Sequence, residues 1–310
     1  VRLEPPTLAA YEQIMTETGL LDKTAKLLRP LVPRRFRADI PVVPVVRLTG
    51  IIGFSTPLRP GLTLASVAKP LERAFAWPRA RAVALLINSP GGSAVQSHLV
   101  FQRIRQLAVE KERPVIAFVE DVAASGGYMI ACAADEIFAD PSSIVGSIGV
   151  IGATFGFTKL IEKIGIERRI YTSGVNKAML DPFLPENPEH VARLKAIQED
   201  IHASFIGLVK SRRGGKLKGA EESLFSGEYW AAQKGIEYGL VDRIGDLRSA
   251  LRERYGEKVE TPLVSAKSGL FGRATPGIGA RVGELIDRPG LTDELISSLE
   301  ARAIWARYGL

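Results

Sequence analysis

Six consecutive apolar residues, Ala82 to Ile87, run directly into Asn88-Ser89-Pro90-Gly91-Gly92-Ser93, and apolar positions then recur at helical spacing at Val95, Leu99, Ile104 and Leu107. An uninterrupted apolar run of this length is the pattern of a strand buried on both faces, which demands layers above and below it. The glycine turn ends the strand and a helix begins at once. The same unit recurs: Pro114 to Val119 is apolar, Glu120-Asp121 interrupts it, and a small-residue corner at Ala124-Ser125-Gly126-Gly127 opens a second helix. A short strand, Glu136 to Ala139, follows. Such alternation predicts an α/β fold with stacked parallel strands.

The rest of the chain fits around these units. A β-rich run from Val42 to Leu48 precedes a helix over 63–76. After the glycine-rich stretch 141–157 the pattern predicts a helix over 158–164, a strand over 167–172 and a loop over 173–185 with Lys177 in its middle. Asn187 as cap and Pro188 in the first turn open a long helix with Val191, Leu194, Ile197, Ile201, Phe205 and Leu208 on one face. A helix over 228–238 is closed by Gly239. Further helices are expected over 8–28 and 292–308. The expected division is an accessory helical and basic segment over 1–40, a main domain over 41–250 and an extension over 251–310.

With 310 residues, 46% of them hydrophobic and 24% charged, the chain can bury a full core. Its net charge of +7 is spread along the sequence. The two basic clusters, Arg34-Arg35-Arg37 and Lys210 to Lys218 with Arg212, Arg213 and Lys216, carry no interleaved aromatics. They read as solvated surface, with anionic lipid or an acidic partner as second choice, and no nucleic acid is expected. Cys132 is the single cysteine and lies in an apolar run, so it reads as a core residue. His98 falls on a polar helix face. His190 and His202 are too far apart on one helix to share a metal, and no metal-binding spacing occurs. No secretory signal or spanning segment is visible, so the expected location is cytoplasmic or peripherally membrane-associated.

Without histidine or metal, hydrolytic chemistry requires a serine served by a neutral lysine, whose ordinary pKa of about 10.4 must fall through burial or neighbouring positive charge. Ser125 stands where a strand hands over to a helix, although a helix cap with two packing glycines is its plainer description. Lys177, beside Ala178-Met179-Leu180 and Pro182-Phe183, has residues that could cover it, yet loop lysines are ordinarily solvated.

Five stretches nevertheless occur together and in order: Asn88 to Gly92, Ala124 to Tyr128, Gly146 to Val150, Ser173 to Phe183 with Lys177, and Phe225 to Gly245. This set resembles the signal peptide peptidase A (SppA/SohB) family of serine peptidases, over roughly Pro41 to Leu251. The resemblance implies a ClpP/crotonase-like fold of stacked β-β-α superhelical units with peripheral helices. It also implies a Ser-Lys dyad with Ser125 as nucleophile and Lys177 as general base. Ser147 would orient the lysine, and the N–H groups of Gly92 and Gly126 would form the oxyanion hole. No cofactor is expected; the implied substrates are signal peptides or other small or unfolded polypeptides, and the implied assembly is a homo-oligomer. A crotonase-like acyl-CoA enzyme and a non-catalytic, membrane-associated scaffold rank second and third.

Overall fold

The computed structural model describes residues 40–53, 61–265 and 302–310. The expected helix over 8–28, the Arg34–Arg37 cluster and residues 292–301 of the last expected helix lie outside them.

A mostly parallel sheet forms the centre. Strand β1 (Val45–Thr49) pairs with β2 (Val83–Ser89), β2 with β3 (Val115–Ala124), β3 with β4 (Glu136–Ala139), and β4 with β7 (Arg243–Ile244), all in parallel. Val83, Ala84, Leu85 and Ile87 have no exposed surface, as the uninterrupted apolar run requires. On one face pack α1 (Leu64–Phe75), α2 (Ala94–Glu110) and α3 (Gly126–Ala131), which share a large core with Leu71, Phe75, Val100 and Ile104. The other face holds Val43, Ala84, Ile116, Phe118 and Phe138, covered by Leu251 of α8 (Leu247–Tyr255). Beyond α8, Val43 and Val45 donate to the carbonyls of Glu260 and Pro262, so the sheet edge continues past residue 250.

Strand β3 is longer than its apolar run because the sheet branches along it. Its first half lies between β2 and β4, and after the exposed Asp121 its second half pairs with β5 (Ile144–Gly146). The buried Ser143 hydroxyl secures the change of direction by donating toward the Val119 and Glu120 carbonyls. β5 in turn pairs antiparallel with β6 (Tyr229–Ala231). The result is the mixed α/β architecture that the alternation predicted, a largely parallel sheet with helices packed on it.

Three local expectations are corrected. Residues 167–172 form no strand: the stretch from Gly149 to Asn187 stands off the sheet as a largely exposed arm holding only α4 (Thr158–Lys163), and an extended segment with no neighbour to pair with gains no ladder. The helix expected from Glu228 starts as β6, because pairing with β5 captures Tyr229-Trp230-Ala231, and only α7 (Ala232–Glu237) remains helical. The Lys210–Lys218 cluster is not a uniformly solvated surface. Arg213 ends the long helix α5 (Pro188–Arg213) with its side chain 1% exposed, donating to Asp242 at 2.6 Å and to the Gly239 carbonyl. Lys216 also reaches Asp242, while Arg212 joins Arg105 on Asp135. Burial works to raise both carboxyls, but for Asp242 the Arg213 and Lys216 hydrogen bonds, and for Asp135 the Val115 N–H and Arg212, hold them below the ordinary value.

Candidate active site

Three parallel strands end side by side, and the candidate residues follow directly from those ends. β3 and β5 finish in register, Ala124 opposite Gly146, so that Ser125 and Ser147 are the next residue on each strand. The Ser125 N–H donates to the Gly146 carbonyl at 2.8 Å, and the Ser147 N–H to the Glu228 carbonyl at 2.6 Å. Both serines leave their strands in the left-handed region, at φ 52° and 53°. An L-residue pays for that geometry, and such strain gathers at functional corners where the surroundings over-determine the backbone. Ser125 does stand at the start of α3, but its side chain makes no capping hydrogen bond. The cap description of its hydroxyl is therefore not met.

The third strand end, β2, delivers the glycine turn. Ile52 grips it from behind, donating to Gly91 O at 2.8 Å and accepting from the Ser93 N–H at 2.8 Å. In such a parallel bridge the middle residue's own N–H faces the opposite side, so Gly92 keeps its donor free of Ile52. No side chain fits at Gly91: with φ at 100°, an added Cβ would lie 2.8 Å from Ser125 Cβ and 2.9 Å from the Gly126 nitrogen. The glycines thus let one backbone turn abut the serine corner. Gly126 begins α3, where the first N–H groups have no partner within the helix.

These residues open onto a cleft of about 680 Å³, lined among others by Gly92, Ser125, Gly126, Met129, Ser147 and Phe205. Four of the five expected site residues, Ser125, Ser147, Gly92 and Gly126, are therefore together. Lys177 is not with them. It sits exposed on the arm, without the apolar cover its neighbours suggested, and does not line the cleft. His202, excluded from sequence as a partner of His190 on a metal, lines the cleft with Nε2 3.1 Å from the Ile148 carbonyl. Tyr308, assigned to the extension, is also there; no pattern in the sequence signals it.

Behind the site, Cys132 is wholly buried and its thiol is pushed up to about 12 by burial, despite the opposing pull of Arg213, which leaves it a core residue. Tyr128, also fully buried, donates to Leu240 O at 2.9 Å and ties α3 to the loop after α7. Among the described residues no His, Cys, Asp and Glu cluster could hold a metal ion.

Comparison with known proteins places the chain in a family. The model of peptidase family S49 matches residues 108–259. A relative in Methanocaldococcus jannaschii named "Putative protease" is 34% identical over 220 residues, covering 66% of this chain and 68% of that protein. The chain belongs to peptidase family S49, to which the sequence motifs pointed. A Brucella abortus protein named as the Na(+)/H(+) antiporter NhaA is 54% identical over 309 residues, covering 98% of this chain but 42% of that protein. The chain thus spans about two-fifths of the length of such curated relatives, and among its described residues no helix is long and apolar enough to cross a membrane. A solved structure of a membrane-bound stomatin-specific protease covers 74% of this chain and all of its own, at 19% identity and a TM-score of 0.45.

Proposed function

We propose that this chain is a serine endopeptidase acting on signal peptides or other small or unfolded polypeptides. Ser125 is the nucleophile, Lys177 the general base and Ser147 the hydroxyl that orients the lysine. The Gly92 and Gly126 N–H groups form the oxyanion hole. The observation that carries the proposal is the pair of positive-φ serines at the registered ends of β3 and β5, beside a glycine turn and facing one cleft. An acyl-CoA enzyme or a scaffold would have no use for the strain at Ser125.

In this mechanism Lys177 takes the Ser125 proton while Oγ attacks the scissile carbonyl. Charge forms on the carbonyl oxygen, where two backbone N–H groups stabilise it; one such donor is worth about 100-fold or more in rate. Lys177 then returns the proton to the leaving amine, and water cleaves the acyl-enzyme with the lysine again as base. No cofactor enters.

The arm supplies a reason for assembly. It exposes Ile151, Phe155, Ile164, Ile166, Tyr171 and Val175, a concentration of apolar surface that a solitary soluble body rarely presents. A second copy that buries this surface would also supply the apolar cover that Lys177 lacks on the exposed arm. Lys177 of one copy would then serve Ser125 of another, in a homo-oligomer.

The test combines a fluorophosphonate probe with complementation. The probe labels the wild-type serine; Ser125→Ala abolishes labelling, and Lys177→Ala slows it by about 100-fold or more. Mixing the two inactive variants restores a fraction of peptide cleavage, because each supplies what the other lacks. Undiminished labelling of Ser125→Ala refutes the nucleophile, and no recovery on mixing refutes sharing between copies.

A further inference from the structure

Residues 302–310 pack beside the ends of β3 and β5. A helical turn over 302–306 leads to Tyr308, whose side chain is buried, and Ile304, Arg307 and Tyr308 form part of the cleft wall. Tyr308 packs on Val122 and Ala124 of β3, with Ile144 of β5 and Trp305 completing the cluster. These are the two strands that end in Ser125 and Ser147. The Tyr308 hydroxyl lies 3.4 Å from Ser147 Oγ and 3.4 Å from Pro90 O, so one phenol touches both the serine hydroxyl and the start of the glycine turn. Tyr229 of β6 holds the segment from the side, donating its hydroxyl to the Arg307 carbonyl at 2.9 Å and meeting the Tyr308 ring edge-on at 5.0 Å between centroids.

We propose that residues 302–310 are an autoinhibitory plug in which Tyr308 occupies the place beside Ser147 that the general base must take. The proposal rests on the reading of Ser125, Ser147 and Lys177 given above. A base has to come within about 3 Å of the groups it serves. A phenol already seated on the cleft side of Ser147 keeps the lysine amine out, and the turn around it walls the same cleft onto which Ser125 opens. The hold is built for release. Both polar contacts of the phenol are long for O–H···O hydrogen bonds, which centre near 2.7–2.8 Å, so packing rather than directed bonding retains it. The short bond comes from Tyr229 to the Arg307 carbonyl and not from the serine hydroxyls. A peptide substrate that offers an apolar or aromatic side chain to the same seat displaces the plug by competition.

The experiment uses the full chain. Tyr308→Ala combined with Trp305→Ala removes the two seated side chains and leaves Ser125, Ser147 and Lys177 in place. Cleavage of a fluorogenic peptide is expected to rise about 10-fold or more, chiefly as a lower apparent KM, with far-UV circular dichroism unchanged. A synthetic peptide of residues 302–310 added to this variant restores inhibition competitively, and its Tyr308→Ala version does not. Tyr229→Phe, which loses only the bond to Arg307 O, gives a smaller activation and covers the case in which the double variant fails to fold. Unchanged or lower activity in correctly folded variants overturns the plug. Binding of the labelled 302–310 peptide to the double variant, read by fluorescence anisotropy, decides the same question without activity: no binding overturns the plug. Activity that persists when Ser125→Ala is added overturns the peptidase reading instead, whatever the anisotropy shows.

Discussion

Replacing Ser125 by glycine should stabilise the protein, and replacing it by alanine should not. At φ 52° and ψ −122° Ser125 occupies backbone space that glycine enters freely and any residue with a Cβ enters at a cost of about 1–3 kcal/mol. Alanine keeps the Cβ and so keeps the strain. Glycine relieves it, but loses about 0.5–1 kcal/mol to the greater freedom of its unfolded chain and up to about 0.8 kcal/mol for one partly buried methyl-sized contact against Gly91. With the strain near the middle of its range, Ser125→Gly comes out about 1 kcal/mol more stable than Ser125→Ala. For a body of this size that is a rise in melting temperature of about 2–4 °C. Calorimetry and urea unfolding of the two variants, both inactive under the proposed mechanism, make the comparison without interference from turnover. Equal stabilities, or a less stable glycine variant, would show that the corner is not strained and would remove the main structural reason for singling out Ser125.

Gly91→Ala should cost about 2–4 kcal/mol in urea unfolding, since its Cβ would meet Ser125 Cβ at 2.8 Å and Ala124 O at 2.9 Å with φ at 100°. It should also lower peptide cleavage by more than the stability loss explains, because the nearest atoms to give way are those of the proposed nucleophile's corner. Arg213→Met should destabilise by about 3–5 kcal/mol, because it strips Asp242 of a partner whose side chain is 1% exposed and leaves the Gly239 carbonyl without its donor. Stability should also fall in acid. Asp135 and Asp242 have folded pKa values held below the ordinary carboxylate value, so the unfolded chain binds more protons, and their contribution is full above about pH 4 and lost as the pH falls through the folded values. Asp242→Asn should flatten that part of a urea-midpoint profile; a profile as steep as wild type would assign the acid loss to other groups.

The sheet was legible because its information is local. The apolar runs at Ala82–Ile87 and Val115–Val119 and the turn residues after them set the starts of both strands and of the helices that follow within a residue or two, although β3 runs on to Ala124. The stretch 228–238 was misjudged for the opposite reason: β6 exists only because β5 lies beside it, and a pairing of that kind leaves no periodic mark. The same holds for Arg213. A basic run looks solvated until the fold brings Asp242 from 29 residues away to meet it. At the site, the residue types and their order suggested Ser125, Ser147, Gly92 and Gly126, and the fold gathers all four. Lys177 was named by the same motifs, but its surroundings depend on what covers the arm, and a single chain leaves that surface open. Tyr308 was invisible because its place depends on a contact across 161 residues to Ser147.

The division of labour between rigid and projecting parts has a mechanistic consequence. Ser125, Ser147 and the glycine turn are fixed by strand register and by Ile52, with nothing in them that must move for chemistry. Under the proposed mechanism, regulation falls on two elements outside the sheet: the segment with Tyr308, which sits at Ser147, and the arm with Lys177, which would reach that hydroxyl in a second copy. If both seek the same hydroxyl, they exclude each other, and linkage makes the exclusion reciprocal: whatever strengthens docking of the arm weakens the plug by the same factor. Substrate adds to the balance only through the plug, because it competes for the cleft and not for the arm's apolar surface. Assembly and substrate would then act in the same direction, each clearing the cleft for the other. The long, weak contacts of Tyr308 keep that balance within reach of a modest binding energy, where two well-formed hydrogen bonds to Ser147 and Pro90 would have locked the site.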